Sequence, residues 1–171
     1  MRLVTQDEVR LLFEYDQLTG ICVYRLTYGR VVAGTIVGWR DEKGYRRTKI
    51  RGKTYFLHKL IWLHVHGYIP EEIDHKDGDP TNNSLGNLRI ATRSQNLANA
   101  RIRIGESGLR GVKLNPSTSK WQSRIYRGRQ CYFLGDFDTK EEAAAAYRTA
   151  ADKMYGEFAI HNRPSPSFRR I

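Results

Sequence analysis

Between Ile73 and Asn99 the chain sets a carboxylate beside an imidazole, Asp74-His75, then a central amide, Asn87, then two more amides, Asn96 and Asn99. Carboxylate and amide oxygens are hard ligands suited to Mg2+ or Mn2+, ions that keep several waters and use few protein groups. A neutral histidine beside such an ion can take a proton from water.

These groups act together only if local structure gathers them. Ile73-Asp74-His75 reads as the end of a short extended segment, stopped by the turn signal Asp77-Gly78-Asp79-Pro80. Leu85, Leu88 and Ile90 are spaced through the polar stretch that follows, a pattern of a loop pinned to a core. Thr92-Arg93-Ser94-Gln95 has the spacing of a capping box, which places Asn96 in a first helical turn. A strand end and a helix start, joined by a pinned loop, can bring Asp74, His75 and Asn96 together.

The pattern DH-x11-N-x8-N resembles the ββα-metal site of HNH endonucleases, in the variant whose last histidine is replaced by asparagine. His58-Lys59-Leu60-Ile61-Trp62 and the run Asp74 to Asp79 resemble the phage and intron-encoded, homing-type branch of that family. The resemblance implies that His75 is the general base and that Asn87 orients it through its backbone. It implies Asp74 and Asn96 as ligands of one Mg2+ or Mn2+ ion, with Asn99 as the second candidate for the asparagine position. His58 has a packing or phosphate-side role that the residues do not settle.

Composition narrows the partner. The 171 residues carry 29 Lys and Arg against 18 Asp and Glu, a formal net charge of +11 spread along the whole length. That points to an extended anion, nucleic acid ahead of an acidic membrane. The most apolar stretch, 55–65, is interrupted by His58, Lys59 and His64 and is too short to span a bilayer. Cys22 and Cys131 lie far apart without a CxxC pattern, and the first ten residues lack the apolar run of a signal peptide. The expectation is a reduced, cytoplasmic setting without secretion.

Along the chain, Thr5-Gln6-Asp7-Glu8 opens a short helix with Val9, Leu12 and Phe13 on one face. β-rich runs at 21–25, 35–39, 45–50 and 54–57 predict an antiparallel meander. Its cations, Arg46, Arg47 and Lys49 among them, are placed to reach phosphates or base edges. Residues 58–66 read as a helix stopped by Gly67. Arg101 and Arg103 lie in a basic segment that can track phosphates.

From Gly108 the texture changes to three strands, 109–114, 121–126 and 131–137. A capping box at Thr139-Lys140-Glu141-Glu142 then starts an alanine-rich helix ending at Gly156. Leu109-Arg110-Gly111-Val112, Lys120-Trp121, the run Leu134 to Thr139, Glu141 to Tyr147 and the run Tyr155 to Asn162 occur in the order of an AP2-type DNA-binding domain, which this stretch resembles. The resemblance implies readout of double-stranded DNA through the sheet by Arg110, Lys113, Trp121 and Arg124. Tyr126 and Phe133 depart from that family's Arg and Trp, so its target sequence does not carry over.

The expected fold is α+β, in five stretches. An N-terminal antiparallel β-rich DNA-contacting region covers 1–56, a ββα-metal nuclease core 57–100, and a basic linker 101–107. An AP2-like three-stranded antiparallel sheet packed on one helix covers 108–163, before a basic tail at 164–171. The expected activity is nicking of double-stranded DNA by a monomer, with one metal-dependent site per chain and no membrane partner. The competing expectation is a non-catalytic DNA-binding regulator, which has no need of Asp74, His75 and Asn96. An RNA-directed role is a third.

Overall fold

A computed structural model describes residues 3–99 and 106–159. The chain divides into two compact units, Met1–Thr92 and Arg93–Ile171, and the fold is α+β. No described helix is long and apolar enough to cross a membrane.

In the first unit, α1 (Gln6–Leu12) begins at a true capping box. The Thr5 hydroxyl accepts the Glu8 amide at 3.3 Å, and the Glu8 carboxylate accepts the Thr5 amide at 3.0 Å. Two otherwise unpaired donors of the first turn are thereby satisfied. Helix α1 runs directly into β1 (Phe13–Tyr15), which pairs antiparallel with β2 (Cys22–Tyr24). A second antiparallel sheet has the order β3 (Trp39–Arg40), β4 (Arg46–Ile50), β5 (Lys53–Phe56).

Helix α2 (Leu57–His66) follows β5 without a break and ends at Gly67 in the left-handed region. It buries Leu57, His58, Leu60, Ile61, Trp62 and Leu63, and the core closes on these with Val9, Phe13, Val37, Ile73 and Leu88. Gln6 Nε2 and Arg10 Nε both donate to the His64 carbonyl, at 3.0 and 2.9 Å, and so tie α1 to the last turn of α2. The site-bearing hairpin is β6 (Ile73–His75) paired with β7 (Leu88–Ile90), with Asp74 opposite Arg89 and His75 opposite Leu88.

In the second unit, α3 (Arg93–Asn99) starts immediately after Thr92, as the capping spacing predicts. Hairpin β6–β7 and helix α3 thus follow one another as β, β, α along the chain. The segment 57–100 expected as the nuclease core straddles the division at Thr92. Arg110 Nη2 donates to the Leu97 carbonyl at 3.2 Å, which ties α3 to the start of the sheet.

That sheet has the order β10 (Gln130–Phe137), β9 (Lys120–Arg127), β8 (Val112–Asn115), all antiparallel. Helix α4 (Lys140–Tyr155) covers one face, and Ala143 and Ala144 let it approach Val112, Leu109, Trp121 and Phe137 closely. Its start is the expected capping box at Thr139 and Glu142.

Two strands differ from the sequence reading. Residues 35–39 meet β2 only at an isolated bridge, Val23 to Ile36. The carbonyls of Val37 and Gly38 accept the Arg46 guanidinium at 3.1 and 3.0 Å, which withdraws them from any ladder. The first strand of the second unit starts at Val112 rather than Leu109. Gly111 has φ +70°, outside strand backbone, and lies so close to α4 that an added Cβ would stand 2.2 Å from the Tyr147 ring.

Candidate active site

All three residues of β6 are buried. Asp74 directs Oδ2 at Arg89, whose Nε and Nη2 approach that one oxygen at 2.9 and 2.8 Å. The cross-strand register makes this ion pair, since residues opposite each other on one face are in contact. It holds the carboxylate in one orientation.

His75 stands beside it with Nε2 3.2 Å from Asn83 Oδ1. An amide oxygen only accepts, so Nε2 carries the ring proton and Nδ1 the basic lone pair. Burial lowers the His75 pKa, while the Asn83 bond and the Asp77, Asp74 and Asp79 carboxylates push the other way. The net direction favours the neutral imidazole that can accept a proton.

The loop between the strands is cross-braced. The Asn87 carbonyl accepts the Lys76 amide at 2.8 Å. Its side chain accepts the Asp77 amide at 3.1 Å and donates to Asp77 Oδ1 at 2.9 Å and to the Asn82 carbonyl at 2.8 Å. Asn87 thus fixes the residues just after His75. Asp77 also accepts the Asp79 amide and the Asn82 side chain, at 2.8 and 2.7 Å. Burial alone would raise the Asp77 pKa, but these bonds together lower it.

Residues outside the sequence-derived set also meet here. Asn83, 3% exposed, is the amide on the His75 ring, and Tyr15 Oη donates to its carbonyl at 2.8 Å. His58 lies edge-to-face with His75, ring centroids 5.2 Å apart, and Tyr45 lies 5.9 Å from the same ring. Arg89 is the partner of Asp74. Only His58 had a sequence signal, its place in the motif run beginning His58-Lys59-Leu60.

Asn96 and Asn99 stand on α3, within its first and last turns. A carboxylate oxygen and an amide oxygen are each hard donors of the kind a small divalent ion takes, unlike the soft donors of a thiolate cage.

The expected DNA-contacting residues fall into three groups. Lys49, Lys113 and Arg124 are exposed on their strands. Arg46 is turned to the Val37 and Gly38 carbonyls, and Arg47 bonds Asp41 at 2.7 Å with its guanidinium 4.2 Å over the Phe56 ring. Arg110 holds α3, and Trp121 packs against the core of the second unit. Arg101 and Arg103 lie outside the described residues.

Comparison with known proteins bears on this same segment. Residues 55–98 match the HNH endonuclease family. An uncharacterized HNH endonuclease of Acanthamoeba polyphaga mimivirus is 32% identical over 125 residues, 71% of this chain and 64% of that protein. Protein 3.8 of Escherichia phage T7 is 31% identical over 105 residues, 60% of this chain and 86% of that protein. The AP2-like ethylene-responsive transcription factor CRL5 of Oryza sativa subsp. japonica is 38% identical over 85 residues, 46% of this chain but 13% of that protein. No solved structure matches the chain. The matched segment holds both strands of the β6–β7 hairpin and the start of α3, and a phage relative is covered over most of its length. The chain therefore belongs to the HNH endonuclease family.

Proposed function

We propose that the chain is a divalent-metal-dependent DNA endonuclease that hydrolyses one phosphodiester bond with His75 as general base. The observation that supports this most is the pairing of Asp74 and His75 on a buried strand, with the His75 ring tied at Nε2 to Asn83. A base is useful when its lone pair is held in place and its ring is neutral at working pH. The Asn83 bond does the first, and burial does the second.

In the reaction, a water gives its proton to His75 Nδ1, the water oxygen bonds to phosphorus, and the bond from phosphorus to the 3′-oxygen breaks. Asp74, with Asn96 or Asn99, would hold one Mg2+ or Mn2+, which supplies positive charge for the transition state and the departing oxygen. Arg89 holds the Asp74 carboxylate and Asn87 holds the loop, so neither group has to reorganise as charge develops.

The substrate is double-stranded DNA. Lys49, Lys113 and Arg124 have exposed positive charge for phosphates or base edges, and an AP2-like transcription factor of a plant is among the proteins this chain is similar to. One site per chain corresponds to nicking by a monomer, in keeping with a homing-type role.

A supercoiled-plasmid assay tests the reading. The protein should convert supercoils to open circles in Mg2+ or Mn2+ and stop on addition of EDTA. His75→Ala should bind DNA normally and nick about 100- to 10,000-fold more slowly. Protein that shifts DNA on gels yet leaves supercoils intact with both metals would instead be a regulator.

A further inference from the structure

We propose that the ribbon formed by β9 and β10 reads thymine methyl groups in the major groove of double-stranded DNA, through Tyr126 and Phe133. The inference rests on double-stranded DNA being the substrate, and it adds which bases the second unit selects.

Strand β9 alternates along its length. Ser123 and Ile125 are buried, while Arg124 and Tyr126 are exposed. Successive side chains of a strand take opposite faces, and antiparallel partners share a face. Phe133 stands opposite Arg124 and Cys131 opposite Tyr126, so these four lie on one face, away from Ile125. Lys113 joins that face opposite Gln122. Tyr126 is 58% exposed and Phe133 56%. Rings this open gain no burial until a partner covers them.

The charge and shape around the two rings fit a groove of DNA. Arg124, Arg127 and Arg129 are exposed on the ribbon and its turn. The carboxylate of this face, Asp136, stands opposite Gln122, toward the other end. Strand β8 pairs with β9 only from Lys120 to Ser123, so beyond Ser123 the strands β9 and β10 run on as a pair to the turn at Gly128. A two-stranded ribbon enters the major groove, which is about 12 Å wide. Arg124 Nη2 donates to Gln122 Oε1 at 3.0 Å, and its guanidinium lies 5.8 Å over the Phe133 ring. An unpaired base stacking on that ring face would have to displace it.

A phenyl ring has no hydrogen-bonding group, so it reads only apolar features of a base edge. In the major groove that feature is the thymine methyl. Tyr126 and Phe133 are diagonal neighbours in the register, a relation that sets side chains about 7–8 Å apart. That is two steps of a duplex whose bases rise about 3.4 Å, so each ring has its own base to meet.

The test measures affinity in EDTA, which keeps the DNA uncut, for two duplexes of about 20 base pairs. One alternates A and T, and the other alternates A and U, which removes the methyl and keeps every hydrogen-bonding group. The wild-type chain should bind the thymine duplex more tightly by about 4-fold per methyl covered, on the order of 10-fold for both. Tyr126→Ala/Phe133→Ala should bind the two duplexes equally, at the parental melting temperature. Lys113→Ala should weaken both by the same factor. Equal wild-type affinities overturn the proposal. So does a double variant that still discriminates, and so does tighter binding of single-stranded oligo(dT) than of either duplex, which would make the rings a stacking platform. Should the double variant fail to fold, Phe133→Gln decides, with discrimination reduced to about 4-fold expected and parental discrimination overturning. If neither duplex is bound even at low salt, the double-stranded-DNA reading itself falls and takes this inference with it.

Discussion

At the residue scale, the Asp74–Arg89 pair shows how a buried charge is tolerated. Both partners are largely buried, and two guanidinium nitrogens close on one carboxylate oxygen. Removing one member of a buried pair leaves the other uncompensated, so Arg89→Ala should cost about 3–5 kcal/mol. Urea unfolding measures this, and a loss below about 1 kcal/mol would show that the pair carries little. His58 makes a second prediction, with a definite sign. Its proton leaves near pH 6.5 in the unfolded chain but only near 3 in the fold. Between those values the unfolded state binds more protons, so this contribution is complete above about pH 6.5 and is lost as pH falls toward 3. The slope reaches at most about 1.4 kcal/mol per pH unit. Wild type should therefore lose more stability than His58→Phe between pH 7 and pH 5, and equal losses would contradict the buried neutral ring. Asn83 was not legible beforehand, because Asn82 and Asn83 are both ordinary turn residues. Which of them meets the ring depends on the path of the loop.

At the element scale, the β1–β2 hairpin straps the loop that carries Asn83. Besides the bond from Tyr15 Oη, the Gln17 carbonyl accepts the Leu85 amide at 2.9 Å. Gly20 has φ +75°, and an added Cβ would stand 2.3 Å from the Ser84 nitrogen and 2.5 Å from the Asn83 carbonyl carbon. Gly20→Ala is thus strained twice, by conformation and by backbone contact, and should cost about 1–3 kcal/mol. It should also slow nicking, because the displaced backbone is that of Asn83. Parental melting temperature and parental rate together would mean that the strap does not bear on the site. Elements like this hairpin were partly readable. The capping boxes at Thr5 and Thr139 and the stop at Gly67 depend on groups within a few residues, and the structure has all three. The segment 35–39 reads as one strand in the sequence, but only Trp39 joins a strand, because the Val37 and Gly38 carbonyls are taken by Arg46 from another element.

At the scale of the whole molecule, a net charge of +11 dictates a salt-sensitive encounter with DNA. Affinity should fall linearly with salt on a log–log plot. Replacing exposed Lys113 and Arg124 together by alanine should reduce that slope by about 2, if both touch phosphates. An unchanged slope would remove that sheet from the interface. Charge, the adjacent acid and imidazole, the amides spaced after them, and the order of strands and helices were all determined by the sequence itself. Each is a local property, set by residue type and near spacing. The tertiary structure alone decided that the amide on the His75 ring belongs to Asn83, that Arg89 holds Asp74, that His58 faces His75, and that Arg46 turns inward. Those contacts join residues from separate elements. They exist only once apolar burial has packed α2 and the hairpins into one core, and no spacing rule along the chain encodes which faces then meet.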